Sequence, residues 1–381
     1  MTSGENFMHL KKVGLVLSGG GAKGAYQVGV AKALVESGVD IAAISGASIG
    51  SLNGAVLASA PSFSEGAKRL EEIWEALASD TPIKPNFPYY LRLLAALGLR
   101  LRAEKFLQKI IREASIRLGK KFIQKIPFFK NFTGSSEGTL ENDAFFSNTK
   151  LAELIKQYCN ENNFAQGLPL YVSVYRYASD LRSLSEFIFA ELGIKDTPNS
   201  KFLHIQSLSS ENQRKALMAS AAIPLLFSPQ KINDALYSDG GQGGWFDEQG
   251  NTPITPLVEN GYQNIIVIHL SKGSLWSRHN FPDNVKIIEI RPRDELTHQG
   301  KTPDLLTFDI NTIPKWSQQG YDDTVYTLNK IAQALATQQD LEESEQRLET
   351  SLNRIKSSRQ QADKAMDLIR NQNYTNKKLI E

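Results

Sequence analysis

The sequence predicts an α/β protein with a mostly parallel central sheet flanked by helices. The N-terminal part alternates short apolar runs with helical stretches, a β-α-β-α opening. Further apolar, strand-like runs recur downstream at Leu170–Tyr177, Phe202–Leu208, Asn264–Leu270 and Val285–Ile290. The composition is that of an ordinary globular chain: 381 residues, 41% hydrophobic, 22% charged and a net charge of +2. Disordered, collagen-like and fibrous classes are excluded, and a dedicated nucleic-acid binder is disfavoured.

Val13–Ser18 reads as a buried strand. It follows two lysines, is too short for a signal-peptide core and ends in glycines rather than a cleavage site, so the chain is expected to be soluble when made. Gly24–Ser37 follows as a helix that Gly38 terminates. Ile41–Ser45 is a second strand, and Ser48–Ala60 a helix stopped by Pro61. The most apolar stretch, Ala216–Gln230, has 15 residues and contains Pro224 and Pro229, too short and broken for a spanning helix. The single cysteine, Cys159, forbids an intrachain disulfide and a cysteine-built metal site. No calcium-loop motif is present, and neither metal nor cofactor is expected.

Two segments stand apart from this core. Tyr90–Phe132 holds 11 basic residues and two acids, Glu104 and Glu113, an excess of nine positive charges. Leu107, Ile110, Ile111, Ala114, Leu118 and Phe122 recur there at helical spacing, while Lys105, Lys109, Arg112 and Lys120 fall largely off that stripe. This pattern fits either a basic amphipathic helix on an anionic membrane or a helix with a solvated basic face. Thr133–Thr139 reads as a loop. The second segment, Ile331–Glu381, has neither glycine nor proline. Its residues Leu341, Glu345, Leu348, Leu352, Ile355, Arg359, Ala362, Met366 and Ile369 alternate by four and three, a heptad seam with two charged interruptions. The seam either pairs with a second chain or lies along the globular body. The expected organisation is therefore a catalytic domain over 1–330, a basic helical insert at about 85–132 and a helical tail over 331–381.

Three glycine-rich turns carry the chemistry. Ser18-Gly19-Gly20-Gly21-Ala22-Lys23-Gly24 joins a strand to a helix, where exposed N–H groups attract negative charge. Gly19, Gly21 and Gly24 fit the dinucleotide fingerprint, but no acid ends the next strand; Asp40 precedes it instead. A phosphate-loop reading fails because Gly24, not Ser or Thr, follows Lys23. Gly46-Ala47-Ser48-Ile49-Gly50 matches G-x-S-x-G between a strand and a helix, the context of a nucleophile elbow. Ser48 needs a base. One candidate is His269, near the end of the strand IIVIHL; the other is Asp239, in Ser238-Asp239-Gly240-Gly241 after the strand-like Ala235–Tyr237.

GGGAKG, GASIG and DGG in this order resemble the patatin-like phospholipase family. Ala219–Pro224 with Phe227-Ser228-Pro229, and Asn251–Pro256 with Asn260-Gly261, resemble that family's stretches on either side of the aspartate. The match runs from about Val13 to Leu270 and leaves the basic insert and the tail uncovered; Gln242–Phe246 lengthens the loop after DGG. The resemblance implies a three-layer patatin-like fold and a Ser48–Asp239 dyad without catalytic histidine. It implies an oxyanion hole from Gly19, Gly20 and Gly21 with Ile49, supported by Lys23, Gly24, Gly46, Gly50, Gly240 and Gly241. The implied reaction is calcium-independent hydrolysis of acyl esters in phospholipids or lysophospholipids at an anionic membrane surface. The expected setting is cytoplasmic and peripheral at membranes, or secreted without a signal peptide, with a homo-oligomer or protein partner through the tail. A Ser-His-Asp esterase using His269, and a partner-regulated interaction protein built on the same core, remain the alternatives.

Overall fold

The computed structural model describes residues 12–79, 164–177, 196–222, 229–298, 304 and 308–378. The basic insert with Lys105, Lys109, Arg112 and Lys120, the 133–139 loop and Cys159 lie outside the described residues. The chain divides into two compact units, Thr2–Val325 and Tyr326–Glu381.

The first unit is built on an eight-stranded sheet: β1 (Val13–Leu17), β2 (Ile41–Gly46), β3 (Leu170–Arg176), β4 (Lys201–His204), β5 (Gln230–Ile232), β6 (Ala235–Asp239), β7 (Asn264–Ile268) and β8 (Lys286–Ile290). The strand order is β5-β6-β3-β2-β1-β7-β8, with β4 also paired to β3. Strands β3, β2, β1, β7 and β8 run parallel, while β4, β5 and β6 pair antiparallel around β3. The fold is thus a mostly parallel sheet with flanking helices, as the alternating sequence predicts. Every residue of β1 is buried, as a central parallel strand covered on both faces requires.

Side chains alternate across that strand. Val16 joins Ala43, Tyr171, Ile254, Leu257, Val267 and Trp276 in a core on one face. Leu17, together with Ile44 and Leu170, meets Gly54 of helix α2 (Ile49–Ala58) on the other. Helix α3 (Phe63–Ser79) packs against α2 and against α1 (Ala25–Glu36). Helix α4 (Ser210–Ser220) covers β3, β5 and β6, and the short α5 (Thr255–Glu259) lies against β2.

Helix α6 (Thr312–Lys378) begins in this unit. Its first turns cross α1 so closely that a Cβ on Gly29 would lie 1.8 Å from the Ser317 carbonyl oxygen, and one on Gly320 would lie 2.0 Å from that of Tyr26. The crossing is locked by Tyr26, whose hydroxyl donates to Asp323 Oδ2 at 3.1 Å. Burial, then the Asp323 carboxylate, push the Tyr26 pKa up. The expected strand over 202–208 is shorter: it stops at His204 and gives way to a 3-10 turn at Ile205–Ser207. The second unit, from Tyr326, is helical to Lys378.

Candidate active site

The glycine loop and the G-x-S-x-G turn leave adjacent parallel strands, β1 and β2, at their carboxyl ends. Open α/β sheets gather their ligands at that edge. Ser48 sits between β2 and α2 with φ 51° and ψ −125°, a conformation that non-glycine residues rarely hold. The flanking glycines make the turn sterically feasible. A Cβ on Gly46 would lie 2.4 Å from the Gly50 carbonyl oxygen, and one on Gly50 would lie 2.1 Å from that of Leu17. The Ser48 N–H donates to Ser220 Oγ at 3.1 Å, and its carbonyl accepts from Ser51 Oγ at 2.7 Å.

The glycine loop lies against this turn. A Cβ on Gly19 would meet that of Ser48 at 3.0 Å and Asn251 Oδ1 at 2.6 Å. A Cβ on Gly24 would strike Ile49. The Gly19 N–H is already engaged, donating to the Asn251 carbonyl at 3.3 Å. Among the described residues no main-chain oxygen accepts from Gly20, Gly21 or Ile49, which open helical turns. Buried polar side chains brace the loop from behind. Gln27 Nε2 donates to the Ser18 carbonyl at 2.8 Å, and Asn53 Nδ2 donates to Gln27 Oε1 at 2.8 Å and to the Gly24 carbonyl at 3.1 Å. Trp74 Nε1 donates to Asn53 Oδ1 at 2.9 Å, and Ser18 and Thr252 share a 3.0 Å hydroxyl contact.

Asp239 ends β6 and is 6% exposed. Its Oδ1 accepts from the Gly241 N–H at 2.8 Å, while among the described residues the buried Oδ2 has no hydrogen-bond partner of normal geometry. Burial pushes the carboxyl up from 3.8 to about 6; the Ser48 hydroxyl and the Gly241 N–H pull the other way without cancelling it. The dipeptide Gly240-Gly241 forms the tight turn after the strand, and a Cβ on Gly241 would meet Asn251 Oδ1 and Asp239 Oδ1 near 3 Å. Ser48, the glycine loop, Asp239 and Asn251 therefore converge at one end of the sheet.

His269 makes its closest polar and ring contacts with Glu289 and Trp276. It is 1% exposed, and its Nε2 lies 3.3 Å from Glu289 Oε2; among the described residues neither ring nitrogen has a hydrogen-bond partner of normal geometry. Its ring packs tilted on Trp276 at 5.5 Å. Burial holds the His269 pKa down against the Glu289 carboxylate. Glu289 itself, although burial raises it, is held at about 2 by His269 and Arg291. Lys23 reaches Glu295 at 3.4 Å and lines a cavity of about 170 Å³ with Gly19, Gly20, Asn251 and His269.

Sequence motifs identify Ser48, Asp239 and the glycines, but they do not single out Ser220, Asn251 or Gln27. For Ser220 and Asn251 a signal exists, since both fall inside the stretches Ala219–Pro224 and Asn251–Pro256 that flank the aspartate. Gln27 reads only as one more position of α1. No cluster of metal-binding side chains occurs among the described residues, and no helix there is long and apolar enough to cross a membrane.

A family model described as patatin-like phospholipase matches residues 15–258. Lysophospholipase nte1 of Aspergillus terreus is 60% identical over 48 residues, 13% of this chain and 3% of that protein. Lysophospholipase nte1 of Aspergillus fumigatus is 30% identical over 181 residues, 47% of this chain and 10% of that one. Patatin-like phospholipase domain-containing protein 7 of Mus musculus is 43% identical over 67 residues, 18% of this chain and 5% of that protein. The chain thus spans only 3% to 10% of the length of these curated relatives. Among solved structures, VipD from Legionella pneumophila aligns over 84% of this chain and 67% of its own at 17% identity, with a TM-score of 0.35. ExoU of Pseudomonas aeruginosa, solved in complex with SpcU, aligns over 84% and 52% at 15% identity, with a TM-score of 0.33.

Proposed function

Because the chain belongs to the patatin-like phospholipase family, we propose that it is a serine acyl hydrolase acting through Ser48 and Asp239 on acyl esters of phospholipids or lysophospholipids. The observation that carries this reading is a strained, buried serine whose hydroxyl acts on a buried carboxylate, with Oδ2 of that carboxylate engaged by no other group among the described residues. A carboxylate raised to about 6 is a usable base near neutral pH.

Asp239 takes the proton from Ser48 as Oγ attacks the ester carbonyl carbon. The tetrahedral oxyanion is held by the N–H groups of Gly20, Gly21 and Ile49, aided by the N-terminal dipole of α2. Gly19 acts through position rather than as a donor, because its N–H serves Asn251. The intermediate collapses, and the leaving alkoxide takes the proton from Asp239. Water then attacks the acyl-serine with Asp239 again as base, releasing a fatty acid and freeing Ser48. Lys23, paired with Glu295, steadies the loop at the cavity wall. No step calls on calcium. The lysophospholipase names of the relatives favour single-chain phospholipids as first substrates to try.

The basic residues Lys105, Lys109, Arg112 and Lys120 would hold the enzyme peripherally on an anionic membrane of the cytoplasm, each contributing about 1 kcal/mol near the surface. The catalytic domain is assigned to residues 1–330 and the helical tail to 331–381. The test is hydrolysis of lysophosphatidylcholine and of a soluble short-chain ester by wild type, Ser48→Ala, Asp239→Asn and His269→Ala. Loss in the first two variants with most activity kept in the third supports the dyad. An inactive His269→Ala that remains folded would hand the base to histidine.

A further inference from the structure

We infer that the C-terminal helix is an antiparallel dimerisation element that pairs with the same helix of a second copy of this chain about a two-fold axis next to Leu352. The seam supplies the apolar row. Leu341, Leu348, Leu352, Ile355 and Met366 are 59%, 61%, 48%, 63% and 57% exposed. Such a row, falling on the a and d positions of one uninterrupted helix, is what a coiled-coil partner covers. In heptad terms Leu341, Leu348, Ile355 and Ala362 occupy d, while Glu345, Leu352, Arg359 and Met366 occupy a.

The charges choose the occupant and its direction. Glu345 and Arg359 interrupt the seam seven residues on either side of Leu352. A parallel, in-register pair would place Glu345 against Glu345 and Arg359 against Arg359. An antiparallel pair about a two-fold next to Leu352 stacks a residues against d residues and brings each Glu345 within about one layer of the other chain's Arg359. The surrounding charges repeat this symmetry. The ten residues before Leu352 contain Glu342, Glu343, Glu345 and Glu349 against Arg347, a net −3. The ten after it contain Arg354, Lys356 and Arg359 and no acid, a net +3. Antiparallel pairing sets each −3 block beside a +3 block; parallel pairing sets like beside like, which is costly across an interface. An anionic membrane is a poor alternative occupant, because the acidic block would lie on it. The chain is complementary to itself, and a second copy supplies all that the seam needs.

The 381-residue chain is tested by light scattering or sedimentation at micromolar concentration. Wild type should run at twice 42.3 kDa, with association weakening as salt rises. Leu352→Asp should run as a monomer with unchanged helix content, since Leu352 is half-exposed in the single chain. Glu345→Arg alone sets arginine near arginine on both sides of the two-fold and should weaken association about tenfold or more, and adding Arg359→Glu should restore it. Direction is read by cross-linking. Gln338→Cys and Met366→Cys, each in a Cys159→Ser background, are mixed and treated with a short bismaleimide. Both positions lie fourteen residues from Leu352 and both are a positions. A 338–366 product between chains supports the proposal. Products joining 338 to 338 and 366 to 366 overturn the antiparallel arrangement, and a wild-type monomer, whatever else the seam then binds, overturns the dimer. Because none of these readouts involves hydrolysis, the result stands or falls apart from the catalytic assignment.

Discussion

The main-chain N–H of Ser48 is held by the hydroxyl of Ser220, 3.1 Å away and 172 residues distant in sequence. Ser220 is fully buried at the end of α4, so this bond ties the G-x-S-x-G turn to the helix that covers β3 and β6. A backbone held at φ 51° stores roughly 1–3 kcal/mol and persists only where its surroundings fix it. Ser220→Ala leaves a buried N–H unpaired, which costs about 1–3 kcal/mol. The expected result is a lower kcat with KM nearly unchanged, and partial rescue by Ser220→Thr. Equal kcat in wild type and Ser220→Ala would show that the turn needs no such anchor.

The glycine loop offers a second test. A Cβ on Gly20 would lie 2.8 Å from Leu270 Cδ1 and 3.0 Å from its Cβ. Valine there must push the loop off Leu270 and re-aim the Gly20 and Gly21 N–H groups. Losing an oxyanion donor typically costs about 10²–10³ in kcat. Gly20→Val should lose roughly that much turnover while still unfolding cooperatively. Unchanged kcat in the folded variant would remove this loop from the oxyanion hole.

The crossing of α1 and α6 predicts a purely structural lesion. Alanine normally gains about 1 kcal/mol over glycine within a helix. At Gly29 the added methyl would meet the Ser317 carbonyl oxygen at 1.8 Å, so the helices must part, at a cost of typically 1–3 kcal/mol. Gly29→Ala should therefore lower the denaturation midpoint without altering the pH dependence of kcat. A stabilised Gly29→Ala would mean that the two helices can separate freely.

This crossing also shows where sequence reading stops. The strands β1, β2, β3, β7 and β8 are legible because each is a short apolar run beside a turn signal. Ser48 and Asp239 are legible because tightly packed turns demand glycines at fixed offsets. Gly29 and Gly320 carry no local sign of their role: each needs its small size because of a residue far along the chain, Ser317 for Gly29 and Tyr26 for Gly320. Gln27 and Asn53 are equally silent, since a polar residue on a helix suggests solvent until the packing buries it. The antiparallel strands β5 and β6 are short, and only the Ala235–Tyr237 run signals them. The strand expected at 202–208 is cut at His204 because Ile205 is buried in a 3-10 turn instead of continuing the ladder with β3.

The final prediction separates the chemical from the structural role of Asp239. Its carboxyl titrates near 6 in the folded protein, against an ordinary value of 3.8, because burial penalises the charge more than Ser48 and Gly241 relieve it. The folded state therefore holds a proton that the unfolded chain has already released between about pH 4 and pH 6. The stabilisation tied to that proton is complete below about pH 4 and is lost as pH rises through 6. At pH 8 the buried carboxylate costs up to about 3 kcal/mol, from two pKa units at about 1.4 kcal/mol each. Asparagine keeps an oxygen for the Gly241 N–H and carries no charge. Asp239→Asn should thus be more stable than wild type at pH 8, and the gap should close near pH 4, as denaturant unfolding at the two pH values will report. The same substitution should cut kcat by roughly 10²–10⁴-fold. In wild type, kcat/KM should fall along an acidic limb near pH 6, as protonation removes the base. A variant that is less active and equally destabilised at both pH values would mark Asp239 as a structural acceptor and leave Ser48 without this base.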